Sequence, residues 1–214
     1  MLDESRSTKI RIMITLKELN EFSEKEAFTK LEECCVSTKW ITAMVSARPF
    51  SSEEGLINKA ASIWFDDCDI TAFKEAFTGH PKIGDVKSLQ EKFAHTAAWA
   101  GNEQAKVEEA TIETIEALTN TNEEYEAKFG YIFIVSASGK SATEMLAIVT
   151  ARLLHNVDDE IYVAMNEQHK ITVIRLAKLI TGLSEKVRIA LFLEIDCTTE
   201  LRQSFCLSSL ISFP

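Results

Sequence analysis

The 214-residue chain is 46% hydrophobic and 26% charged, the balance of a globular domain rather than a disordered segment. Its length suits one domain with a real core, and no run approaches the ~18 apolar residues of a membrane-spanning helix. A net charge of −10 argues against a nucleic-acid surface, and it obliges an anionic ligand to find a local cation.

The five cysteines, Cys34, Cys35, Cys68, Cys197 and Cys206, are odd in number and lack CxxC spacing. This points away from a disulfide framework or a zinc site and towards a reducing compartment. The start, "MLDESRSTKIRIMITL", has no apolar core of signal-peptide type, and the chain lacks a Ser-Lys-Leu ending. A cytoplasmic location is expected, with the peroxisome as the alternative.

In chain order, almost everything up to about residue 182 reads as helix, punctuated by only three prolines and seven glycines. "TLKELNEFSEKEAFTKLEECC" holds two helical starts, with Ser23 capping the second. "SSEEGLINKAASIWF" opens with Ser51 and Glu54 at capping-box spacing, and Leu56, Ala60, Ile63 and Trp64 recur with a helical period. Asp69 suits the cap of "ITAFKEAFT", whose Ile70, Phe73 and Phe77 share a face. The stretch from Lys87 to Asn120 reads as two helices meeting near Gly101, followed by "TNEEYEAKFG", ended by Gly130. "YIFIV" is strand-like but has no partner strand, so a buried extended connector is expected. Ser141 and Glu144 form a further capping box, and the last helix runs from about Asp158 to Ile180. Beyond Gly182 the helical period is lost.

The most informative stretch is "EAFTGHPKIGD". Gly79 stands where a left-handed helix terminator belongs, and Pro81 stands where the helix cannot continue. The proline also drives His80 towards an extended backbone. At a helix C-terminus the partial negative charge favours imidazolium, and a histidine there suits proton transfer near neutral pH. Two roles remain open on this spacing: a helix-capping histidine without chemistry, and a proton carrier. Glu103 lies one turn before Val107, near the stripe Val107, Ala110, Thr111, Ile115 and Leu118. It reads either as an inward-facing functional carboxylate or as a first-turn glutamate favoured by the helix dipole. Arg175 interrupts an apolar side formed by Ile171, Ile174 and Leu179, so it meets either an anion or a structural carboxylate. His95, His155 and His169 form no ligand spacing with His80 and read as surface or structural.

Taken together and in order, "HPKIGD", "NEQA", "YEAKFGYIFIVSASGKSATEML" and "MNEQHKITVIRLAKL" closely resemble the 2-oxo-4-hydroxy-4-carboxy-5-ureidoimidazoline (OHCU) decarboxylase family. "LNEFSEKEAFTKLEECCVSTKWITAMVSARPF" and "IWF" fit it as well, and the resemblance covers about residues 15–182. It implies an all-α, single-domain helical bundle, with a 1–14 extension before it and 183–214 after it. It also implies a lyase of urate and purine degradation that converts OHCU to (S)-allantoin without a cofactor or metal. The implied partners are the small-molecule substrate and a second copy in a homodimer, with neither nucleic acid nor membrane.

Carried over by position, His80 matches the catalytic histidine and Pro81 its neighbour. Glu103 and Gln104 match the end of the S-x-x-E-Q motif, with Glu103 in the catalytic pair. Phe133, Ile134, Val135, Ser136 and Ala137 match a segment lining the substrate pocket, and Arg175 matches the arginine that binds the anionic substrate. Ala100 stands where the family motif has serine, which removes one substrate hydrogen bond. The competing class is a non-catalytic helical interaction module derived from the family; Ala100 and the unusual tail favour it, and His80, Glu103 and Arg175 count against it. In some plant relatives the domain is fused to a transthyretin-like hydrolase. The stretch after Gly182 is too short for one, so a single activity is expected.

Overall fold

The computed structural model describes residues 13–80, 112–137 and 139–181. Its helices are α1 (Leu16–Glu21), α2 (Glu24–Glu32), α3 (Thr38–Ser46), α4 (Glu53–Ser62), α5 (Ile70–Phe77), α6 (Ile112–Phe129), α7 (Ala142–Arg152) and α8 (Val157–Leu179). A π-helical turn, Ile63–Asp67, extends α4. The described residues hold no strand beyond one isolated parallel bridge, Ile14 with Ile180. There Ile14 N donates to Leu179 O at 2.8 Å and Thr181 N donates to Ile14 O at 2.7 Å, closing the start of the described chain onto the end of α8.

Helix starts follow from local chemistry. Thr15, Ser23 and Ser141 each form a reciprocal capping box with a glutamate three residues on, satisfying donors that no helical carbonyl can reach. Asp69 caps α5, as the sequence predicts. The cap of α4 is Ser52 rather than Ser51: its Oγ accepts from Gly55 N at 3.0 Å, which moves the start one residue on and takes Glu54 out of the box position. Arg48 serves the other end of α1, with Nη1 donating to Leu19 O at 2.8 Å and Phe22 O at 2.7 Å.

α8 is the axial helix, packing on α4, α5 and α6. Its buried residues Ile161, Ala164, Met165, Gln168, Thr172, Leu176 and Leu179 recur every three or four positions. Trp40 and Trp64 anchor the core, each satisfying its indole N–H on a carbonyl: Ala60 O at 3.1 Å and Met165 O at 3.0 Å. Full burial of such large side chains supplies about 1.5–3 kcal/mol apiece.

Other expectations are corrected. "ETIEALTN" and "TNEEYEAKF" form one continuous helix, α6, because no breaker separates them before Gly130, whose φ is +76°. Ile70 is exposed while Phe73 and Phe77 are buried, since Ile70 opens α5 and lies beyond the reach of the core. As expected, "YIFIV" is a connector in neither helix nor strand, with Tyr131, Phe133 and Ile134 buried. No helix among the described residues is long and apolar enough to cross a membrane.

Candidate active site

The site forms where the end of α5, the middle of α8 and the turn from Cys34 to Ser37 come together. His80 follows α5 and donates its backbone N–H to Phe77 O at 3.2 Å. Its Nε2 lies 2.5 Å from Gln168 Oε1 on α8. Gln168 is fully buried, and its Nε2 donates to Thr172 Oγ1 at 3.2 Å. The Thr172 hydroxyl also bonds its own helix, at 3.0 Å from Gln168 O.

Two turns of α8 beyond Gln168, Arg175 is half-buried, and its charge is near enough to act on His80. Its Nη1 donates to Cys34 O at 3.3 Å. Among the described residues no carboxylate pairs with this guanidinium, so its capacity for a charged acceptor remains open.

Burial is the main cause that holds the His80 pKa below its ordinary value. The bond to Gln168 opposes the shift, and the nearby Arg175 charge adds to it. The direction is opposite to the one that the helix end alone suggests, with desolvation as the largest cause. A second correction concerns Gly79, which is not left-handed. Its requirement for no side chain comes from Val36 in the adjoining turn, whose Cγ2 would stand 2.2 Å from an added Cβ.

The turn from Cys34 to Ser37 thus serves the site three ways, through Val36 on Gly79, Cys34 O on Arg175, and Cys35 beside Thr172. Burial pushes both thiols up to about 12, so they stay neutral. Among the described residues no group of three or more His, Cys, Asp or Glu side chains could hold a metal ion.

The 133–137 connector reaches α8 by its own route, with Ser136 N donating to Glu167 Oε2 at 2.7 Å beside Gln168. Ile134 O accepts from Arg152 Nη1 at 2.7 Å, and the Arg152 guanidinium lies 4.7 Å over the Phe133 ring. Arg152 in turn pairs with the fully buried Glu160, which also takes the Tyr125 hydroxyl and His155 Nδ1, the latter at 2.6 Å. His155 is therefore structural, and His169 is buried edge-on to Phe65 with ring centroids 4.8 Å apart. Pro81, His95, Ala100, Glu103 and Gln104 lie outside the described residues.

Gln168, Thr172 and the turn from Cys34 to Ser37 are the parts that sequence reasoning missed. A signal for the first two exists: Gln168, Thr172 and Arg175 stand at i, i+4 and i+7, a polar line running beside Ile171, Val173, Ile174 and Leu176.

The OHCU decarboxylase family model matches residues 20–177. The uric acid degradation bifunctional protein TTL of Arabidopsis thaliana is 35% identical over 149 residues, 68% of this chain and 45% of that protein. The 2-oxo-4-hydroxy-4-carboxy-5-ureidoimidazoline decarboxylase of Halalkalicoccus jeotgali is 25% identical over 167 residues, 78% of this chain and 92% of that one. The chain spans less than half the length of the Arabidopsis protein, and 32% of a uric acid degradation bifunctional protein of Bacillus sp.. A crystal structure of OHCU decarboxylase in the presence of (S)-allantoin superposes with a TM-score of 0.56 at 30% identity, covering 73% of this chain and 97% of that one. A family match over most of the packed helices, with a likeness in fold to a solved member, identifies this chain as a member of the OHCU decarboxylase family.

Proposed function

We propose that the chain decarboxylates OHCU to (S)-allantoin without a cofactor, with His80 and Glu103 as catalytic residues. The observation that carries this reading is the half-buried imidazole of His80, tied to Gln168 and within range of the charge of Arg175, in a chain of this family.

The substrate carries its hydroxyl and its carboxylate on the same ring carbon. When the carbon–carbon bond breaks, CO₂ leaves and the electron pair passes into the neighbouring ring carbon–nitrogen double bond. His80, neutral because its pKa is depressed, accepts the hydroxyl proton as the carbonyl forms. The resulting imidazolium stands beside a second positive charge, which makes it a stronger acid. It passes that proton to the ureido-bearing carbon, and the ring nitrogen takes one proton from solvent. Delivery from a fixed imidazole reaches one face only, which is what a single enantiomer requires.

Arg175 holds the anionic substrate with its fork of donors. Glu103 binds the hydroxyl and ureido groups, with Pro81, Gln104 and the segment Phe133, Ile134, Val135, Ser136 and Ala137 shaping the pocket. The activity is assigned to residues 15–182, so a chain ending at Gly182 should retain turnover. Family membership supports a homodimer, and five cysteines without a disulfide pattern fit a reducing compartment, so a cytoplasmic site is proposed with the peroxisome as the alternative.

The test supplies the protein with the product of urate oxidase and hydroxyisourate hydrolase and follows circular dichroism. (S)-Allantoin accumulating faster than by spontaneous decay supports the proposal, and a rate equal to the uncatalysed one overturns it.

A further inference from the structure

We propose that Gln168 is a positioning residue that fixes His80 in its Nε2–H tautomer, leaving Nδ1 as the nitrogen that exchanges protons with the substrate. The proposal rests on the reading of His80 as the proton carrier.

The argument is one of donors and acceptors. The Thr172 hydroxyl, one turn along α8, bonds back to Gln168 O at 3.0 Å, so its single proton is engaged and its oxygen is left to accept. The Gln168 amide nitrogen donates to that oxygen at 3.2 Å. The amide oxygen must then be the atom that faces His80, 2.5 Å from Nε2. An amide oxygen only accepts, so Nε2 has to carry a proton in both the neutral and the charged ring.

Burial makes this selection strong. Gln168 is 0% exposed and Thr172 is 2% exposed, so no water replaces either partner cheaply. Gln168 also differs from a carboxylate in a useful way. A carboxylate in its place would stabilise imidazolium and hold the proton that has to travel, whereas the neutral amide orients the ring at little cost to its acidity. Among the described residues, the charged side chain that acts on His80 is Arg175, on α8 with Gln168; Thr172 is neutral, and burial keeps the Cys34 and Cys35 thiols protonated.

The decisive measurement needs no substrate. Long-range ¹H–¹⁵N correlation spectra of the full ¹⁵N-labelled chain at neutral pH report which ring nitrogen of His80 is protonated, with the His80→Asn spectrum giving the assignment. A protonated Nε2 and an unprotonated Nδ1 are expected, and the reverse pattern overturns the proposal. In Gln168→Glu the His80 titration should move up by about 1–3 pH units, and an unmoved titration also overturns it.

Gln168→Leu keeps the volume and removes the acceptor. It should lower kcat by roughly 10²-fold while KM changes little, because orientation of the acid rather than substrate binding is lost. Unchanged kcat overturns the positioning role. Thr172→Val, which frees the amide to turn over, should show the same pattern more weakly and stands in if Gln168→Leu does not fold. A chain that shows the Nε2–H tautomer yet has no decarboxylase activity keeps this assignment and overturns the functional reading instead.

Discussion

Val36 occupies the space that a side chain at Gly79 would need: an added Cβ would lie 2.2 Å from Val36 Cγ2 and 3.0 Å from Val36 Cβ. Valine is stiff at χ1, so it cannot swing aside, and either the turn or the end of α5 has to move. Gly79→Ala should therefore destabilise the fold by about 1–3 kcal/mol, read as the shift in a denaturant midpoint. Because His80 is the next residue, turnover should fall as well. Combining Gly79→Ala with Val36→Ala should recover much of both losses, a coupling that a double-mutant cycle measures.

The same pair shows where the sequence stops informing. That a glycine was needed before His80 was evident from the motif, but the reason lay in a residue 43 positions earlier in the chain. Local chemistry read well: Ser23, Asp69 and Ser141 cap the helices expected of them, and Gly130 ends α6 with a positive φ. The placement of His80 beside Arg175 followed from neither residue's surroundings, because α5 and α8 meet only in three dimensions. Helix-end charge alone gave the wrong direction for the His80 pKa, since burial cannot be read from a dipeptide. Gln168 was in plain view inside "MNEQHKIT", and its role needed the distance to the imidazole.

The buried network around Glu160 should be a stability element that also holds the connector. Glu160 is 0% exposed and accepts from Arg152, Tyr125 and His155, while Arg152 reaches Ile134 O. Glu160→Gln leaves Arg152 charged and unpaired in the interior, which costs about 3–5 kcal/mol. For a domain of this size that corresponds to a fall in Tm on the order of 10 °C, measurable by calorimetry. Replacing both partners, Arg152→Met with Glu160→Leu, should cost less than Glu160→Gln alone. A single variant with unchanged Tm would refute this account of the network.

The depressed pKa of His80 fixes the sign of two pH effects. If the neutral ring accepts the substrate proton, kcat/KM should fall on acidification with a midpoint below the ordinary histidine value of about 6.5. Between the folded and unfolded values the unfolded chain binds more protons, so stability rises with pH across that window and is lost towards acid. His80→Asn should flatten this dependence and lower turnover by about 10²–10⁴-fold with the fold intact. Near-normal turnover in a folded His80→Asn variant would remove the imidazole from the mechanism.

Arg175 has a single weak backbone acceptor, Cys34 O at 3.3 Å, and no carboxylate partner among the described residues. An arginine in that state, near a histidine whose pKa it helps to depress, has donors to spare for the anion-binding role proposed for it. If two parallel donors grip the substrate, a point charge cannot reproduce them, so Arg175→Lys should weaken kcat/KM and Arg175→Ala should weaken it further. Loss of a charge-assisted hydrogen bond, about 1.5–3 kcal/mol, corresponds to roughly a ten- to hundredfold fall in kcat/KM. Arg175→Ala should also raise the midpoint of the His80 titration, because a positive neighbour is gone. A purely structural arginine predicts the opposite division: a large drop in Tm on substitution by alanine, with the kinetic constants of the folded fraction unchanged. Thermal melts, steady-state kinetics and the His80 titration on the same two variants separate these outcomes, and unchanged kinetics with a large stability loss would rule out the anion-binding role.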